Sequence, residues 1–257
     1  MKLKNPYLNP EDGALYHIRV KPGEVGKYVI LPGDPFRTDV IKDYFDQPRL
    51  VAHAREHKTW TGYLDGEMVS VCSTGMGCPS ASIAVEELIA CGADTFIRVG
   101  TAGRLADSVQ DEAINGAIIT GSVRDEGLTS HYVPKEYPAM ANRFIVEALA
   151  QAAKRKNLLY VEGIAHCKDS YFGMVDPDSL PNGAALKTRI QMWKDANVIT
   201  TEMETAALFV VSQIRGCRAG AVMSFTGGKG GHHTAESIEI AVEAIRDLIK
   251  QDKAAKK

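Results

Sequence analysis

The chain has 257 residues, with 30 Lys and Arg against 32 Asp and Glu, a formal charge of −2 at pH 7, and 45% hydrophobic residues. That balance removes the broad basic surface used in non-specific nucleic-acid binding, and the apolar content excludes disorder as the main state. No apolar run approaches the roughly 20 residues of a membrane span, and the opening MKLKNPYLNPEDG lacks a signal-peptide core, so a cytoplasmic protein without membrane partners is expected.

Along the chain, short β-rich runs alternate with helical patterns. Strands are predicted at Lys27–Leu31, Val69–Ser73, Thr95–Val99, Gly116–Thr120, Val161–Cys167 and Arg218–Ser224. Helices are predicted at about Ser80–Cys91, between Pro79 and Gly92; at Arg143–Lys154; from near Glu202 to just before Gly216; and at Thr234–Lys250. This order implies one α/β domain over 1–257, with a central mixed, mostly parallel sheet flanked by helices and flexible ends at 1–15 and 251–257. Two turn-rich stretches, Arg104–Asn115 and Asp169–Asn182, have the length of loops that cap active sites. Five cysteines without a CxxC pair fit a reducing compartment. Cys72 and Cys91 fall in apolar segments, and Cys78, with no nearby His to activate it, reads as structural.

Three segments carry chemistry. In VILPGDPFR (29–37) a strand ends at Gly33, which lets an anion approach the backbone amides, and Arg37 can fold back over the same space; a plain turn with a surface arginine fits these residues equally well. In STGMGCPSASIAVEELIACGADTFIRVGTAG (73–103) two Gly-rich turns open at the carboxyl ends of strands, where α/β sheets bind ligands. Arg98, inside an apolar strand, requires an anion, either a ligand or a structural carboxylate, and Thr101 adds a hydroxyl. Neither turn matches GxxxxGK[ST] or GxGxxG. In TTEMETAALFVV (200–211) Glu202 and Glu204 flank Met203 at the mouth of an apolar helix, where either Glu alone could simply complement the helix dipole.

The order GDPxR, TGMGxPS with RVGTAG, then EMETAA resembles the nucleoside phosphorylase family, particularly its uridine phosphorylase branch, from about Tyr16 to Arg246. HAREHKTW (53–60), VRDEGLTSHY (123–132) and KDSYF (168–172) extend the resemblance. It implies phosphate-dependent, reversible cleavage of a nucleoside to base and ribose 1-phosphate, with inorganic phosphate as co-substrate and no organic cofactor. Gly33, Arg37, Arg98, Thr101 and a subunit-crossing Arg55 match the family's phosphate site; Met203, Glu204 and a partner-donated His17 match its ribose site. Arg98 and Glu204 are thereby the implied catalytic pair. Tyr171, beside Phe172, matches the aromatic that stacks on the base, and Glu56 with Ser80 matches a monovalent cation (K+) site between subunits. The resemblance further implies a homodimer as catalytic unit, often three dimers in a hexamer.

The departures fall at the base. Uridine phosphorylases read uracil with a Gln and an Arg after the stacking aromatic, but this chain has Gly173-Met174-Val175-Asp176-Pro177 there. The Asp by which purine-specific relatives protonate the leaving base is absent too, Ser224-Phe225-Thr226-Gly227-Gly228-Lys229 standing at that point. Lys168, Asp169, Lys229, His232 and His233 are the polar candidates to replace these readers. A purine nucleoside phosphorylase, a nucleosidase, and a family member that binds nucleoside or phosphate without turnover are the alternatives.

Overall fold

In a computed structural model, which describes residues 11–226 and 234–255, the apolar runs become strands of one large mixed sheet packed between helices. β1 (Tyr28–Pro32) is buried at every position. Asp34 then caps α1 (Pro35–Ile41), its carboxylate accepting from the Phe36 N–H at 2.9 Å, with Pro35 where a helix has no use for an N–H. β2 (Asp46–Ala54), β3 (His57–Leu64) and β4 (Glu67–Cys72) form an antiparallel meander. α2 (Cys78–Ala90), β5 (Thr95–Arg104), β6 (Gly116–Asp125), β7 (Ala139–Met140), α3 (Arg143–Arg155) and β8 (Tyr160–Lys168) follow. The chain continues through α4 (Tyr171–Val175), α5 (Gly183–Asp195), β9 (Thr200–Glu202), α6 (Thr205–Arg215), β10 (Arg218–Phe225) and α7 (Thr234–Ala254).

β5 is the hub. It pairs in parallel with β1 on one edge and β10 on the other, while its far end, Gly103 and Arg104, meets β9 in antiparallel fashion. β9 pairs with β8, β8 with β6, and β6 with β10, so these strands and β5 close into a ring from which β1, β4, β3 and β2 extend as an open sheet. Side chains alternate across β5: Phe96 packs into the core under α2 and α6, and Ile97 into the core under α3 and α7.

The sheet is mixed, as expected, and its longest ladders, β5–β10 and β6–β8, are parallel. The pairs β2–β3, β3–β4, β5–β9, β6–β7 and β6–β10 are antiparallel. Of the meander only β4 shows in the apolar pattern; β2 and β3 escape it because His57, Thr59 and Thr61 occupy the buried face of β3 and β2 is largely exposed. The stretch 169–182 is no plain loop, since it holds α4 and a 3₁₀ turn at Pro177–Ser179. Within the end segments, residues 11–15 and 251–255 are described. Ala14 and Leu15 are buried, and α7 runs through Asp252, whose carboxylate takes Arg218 Nη2 at 2.6 Å and the Tyr28 hydroxyl at 2.5 Å. Residues 1–10 and 256–257 lie outside the described residues. No described helix is long and apolar enough to cross a membrane.

Candidate active site

The carboxyl ends of β1, β5 and β8, the turn between β4 and α2, and the β9–α6 junction surround a cleft of about 920 Å³. Its floor is two turns locked together: the Thr74 N–H donates to the Pro32 carbonyl at 2.8 Å and the Gly75 N–H to the Gly33 carbonyl at 3.0 Å. Gly75 has φ +69°, and a Cβ there would stand 2.6 Å from Glu56 Cγ and 2.8 Å from Ser80 Oγ, so only glycine fits.

Arg98 is 6% exposed. Its Nη1 donates to Thr74 Oγ1 at 3.2 Å and its Nη2 is paired with Glu204, so a protein carboxylate supplies an anion that the strand arginine requires. The other Glu204 oxygen accepts from the Gly77 N–H at 2.7 Å. Burial pushes the Glu204 carboxyl above the usual carboxylate range; Arg98 opposes the shift and Glu202 adds to it. Glu202 does different work. Its carboxylate accepts from the N–H groups of Glu204 and Thr205 at 2.7 and 2.8 Å and from the Thr205 hydroxyl at 2.5 Å, so it caps α6. The helix accordingly begins at Thr205, not at Glu202.

Arg37 enters from α1 and lines the same cleft. Its guanidinium donates to the Val99 carbonyl at 3.4 Å, and no ion pair holds it among the described residues. Burial lowers its pKa, Asp34 partly restores it, and the like charge of Arg98 lowers it again. Two guanidiniums face one space and only that of Arg98 is ion-paired among the described residues, so the charge of Arg37 is left for a small anion to meet. Gly33 and the exposed Thr101 border that space.

At the other end, Lys168 closes β8. Its buried ammonium donates to Thr201 Oγ1 at 2.8 Å; burial lowers its pKa while Glu202 and Glu204 work to raise it. Tyr171, 57% exposed, lines the cleft with Met174, Val175 and Met203. Phe172 meets Tyr171 edge-on at 5.5 Å without lining the cleft. Asp169 is spent elsewhere, accepting from the Gly127 N–H at 2.9 Å.

Of the remaining candidates, Glu56 lines the cleft and accepts from the Ser80 hydroxyl at 2.8 Å. Arg55, exposed at the β2–β3 turn with φ +54°, and His17, bonded to Glu87, do not line the cleft of their own chain. Lys229, His232 and His233 lie outside the described residues. The structure adds Thr74, which bonds Arg98, and Thr201 and Thr226, which line the cleft; the first two lie inside the segments that carry chemistry, but residue type alone did not single them out. Among the described residues no cluster of His, Cys, Asp and Glu has the make-up of a metal site.

Residues 27–252 match the family model described as Phosphorylase superfamily. The chain belongs to this superfamily. Among its relatives in the superfamily, the uridine phosphorylase of Treponema pallidum (strain Nichols) is 41% identical over 249 residues, covering 92% of this chain and 95% of that protein. The uridine phosphorylase of Thermococcus kodakarensis is 40% identical over 254 residues, 94% of this chain and 89% of its own length. A guanosine phosphorylase of Halorubrum lacusprofundi is 34% identical over 237 residues, 91% of this chain and 93% of its own.

Proposed function

We propose that the protein is a nucleoside phosphorylase of the uridine type, cleaving a nucleoside with inorganic phosphate to free base and ribose 1-phosphate. The observation that carries this reading is the convergence of Arg37, Arg98 and Glu204, from three distant segments, on one cleft. Phosphate sits against Gly33, Arg37, Arg98 and Thr101, with Arg55 of the partner subunit completing the cage. Held there, it attacks C1′ in an effectively unimolecular step. The glycosidic electron pair leaves with the base, the ribose gains oxocarbenium character, and a phosphate oxygen forms the new bond to C1′. Glu204 accepts from sugar hydroxyls and, with the phosphate, stabilises that positive charge more in the transition state than before it. Arg98, touching Glu204 and facing the anion, couples the two.

Met203 supports the ribose, with His17 of the partner subunit on its far side. Tyr171 stacks on the base, and the Lys168 ammonium is the donor available to a base carbonyl as negative charge develops on the leaving group. Glu56 and Ser80 offer oxygen donors that suit a hard monovalent cation such as K+, and Glu56 stays ionised because hydrogen bonds to its carboxylate, from its own N–H and from Ser80, hold its pKa down. The catalytic unit is a homodimer, assembled as a hexamer of three dimers in the cytoplasm, where its five free cysteines stay reduced.

A purine nucleoside is the second reading. Met174 and Val175 line the base end of the cleft where uracil readers would stand, and one relative is a guanosine phosphorylase. Incubation with uridine, thymidine, guanosine, inosine and adenosine, with and without phosphate, decides between them by which base appears. Release that does not depend on phosphate would overturn phosphorolysis, and binding without release would identify a non-catalytic binder.

A further inference from the structure

Glu87 lies on α2, outside the cleft, and is only 8% exposed. A carboxylate buried to that extent needs donors, and the segment ahead of β1 supplies them. The backbone N–H groups of His17 and Ile18 donate to Glu87 Oε2 at 3.1 and 2.9 Å, and Oε1 stands 2.6 Å from His17 Nδ1. A carboxylate taking two backbone donors acts as an acceptor, so the imidazole proton belongs on Nδ1. In the neutral ring Nε2 then carries a lone pair.

The segment is pinned on both sides of this histidine. Leu15, Ile18 and Val20 are buried, the Leu15 N–H reaches the Val20 carbonyl at 2.9 Å, and Arg19 turns the chain at φ +57°. His17 itself keeps 36% of its side chain exposed, with Tyr16 edge-on to it at 4.9 Å. The backbone is thus held on both sides of the ring, and of the two ring nitrogens Nδ1 is the one engaged by Glu87.

We propose that Glu87 is a positioning residue: it fixes His17 as the Nδ1–H tautomer, so that Nε2 accepts a hydrogen bond from a ribose hydroxyl in the neighbouring subunit's cleft. This rests on the assignment of His17 to the ribose site. Glu87→Gln tests it, because the amide places an N–H against Nδ1 and forces the ring proton onto Nε2. Steady-state kinetics on the wild type, Glu87→Gln, His17→Ala and the double variant, with melting temperatures for each, separate the outcomes. Glu87→Gln should raise the nucleoside KM about tenfold, the worth of one ligand hydrogen bond, with the phosphate KM within about twofold. The same substitution should have no further effect on nucleoside KM in the His17→Ala background. If Glu87→Gln still raises KM in that background, its role is structural and the proposal fails. If His17→Ala raises KM but Glu87→Gln does not, positioning fails while the ribose assignment stands. If His17→Ala leaves nucleoside KM unchanged, the assignment itself fails and takes the proposal with it.

Discussion

At the scale of single residues, the two cleft arginines should behave differently although both face the same anion. Arg37 has no ion-pair partner among the described residues, so Arg37→Ala removes its ligand contacts and one long hydrogen bond to the Val99 carbonyl but strands no buried carboxylate. Its phosphate KM should rise at least about tenfold, the loss of a charge-assisted hydrogen bond, with the melting temperature nearly unchanged. Arg98→Ala strands Glu204 without its counter-ion in a buried site, and the cost approaches the roughly 3–5 kcal/mol of a broken buried pair, reduced as Glu204 takes up a proton. That variant should lose turnover and melt earlier, which a thermal scan beside the kinetics would register. Arg37, not Arg98, is therefore the clean probe of phosphate binding. Lys168→Met makes the complementary test at the base end: the nucleoside kcat/KM should fall by a factor of about ten to a hundred with the phosphate KM preserved, as loss of a donor to a charged or developing oxyanion costs about 1.5–3 kcal/mol.

Among the elements, α6 shows how one short sequence divides its labour. Glu202 and Glu204 are alike by type and two positions apart, yet the first turns back to three donors of the helix start and the second turns out to Arg98. Glu202→Ala should cost about 1–2 kcal/mol of stability as a lost cap, measurable by urea unfolding. This split was not legible in EMETAA, because it depends on backbone direction at the strand–helix junction. The hub strand, the helix pairs on its two faces and the order of the cleft segments were legible, since Phe96 and Ile97 alternate and α3 and α7 repeat at helical spacing. The first two strands of the meander were not, because β2 is largely exposed and threonine and histidine fill the positions of β3 that an apolar pattern reserves for valine and isoleucine. Likewise Lys168 could be singled out by its motif, but its hydrogen bond to Thr201 needed β8 and β9 side by side.

For the molecule as a whole, pH stability has an identifiable source at the end of α7. Arg218 and the Tyr28 hydroxyl hold the Asp252 carboxyl down to about 2 from an ordinary 3.8, against the burial that would raise it. A depressed carboxyl contributes stability above its unfolded pKa and loses it as pH falls through the folded one, so this contribution is complete above about pH 5 and gone only by about pH 1. Asp252→Asn should therefore lower stability by about 2 kcal/mol at pH 7, and the gap to the wild type should close on acidification, followed by chemical denaturation across that range. The strand ring has a consequence of another kind. Its closure sets residues 95–102 against 218–225 and needs the antiparallel return of 116–119 beside 221–224, the most sequence-distant of the described strand pairings. Loop-closure entropy for such pairings is met before their contacts reward it, so folding of the ring is slow in origin and cannot finish on the ribosome until β10 has left the exit tunnel. A nascent chain halted short of β10 would carry β5 with an open edge, and would depend on chaperones for that interval.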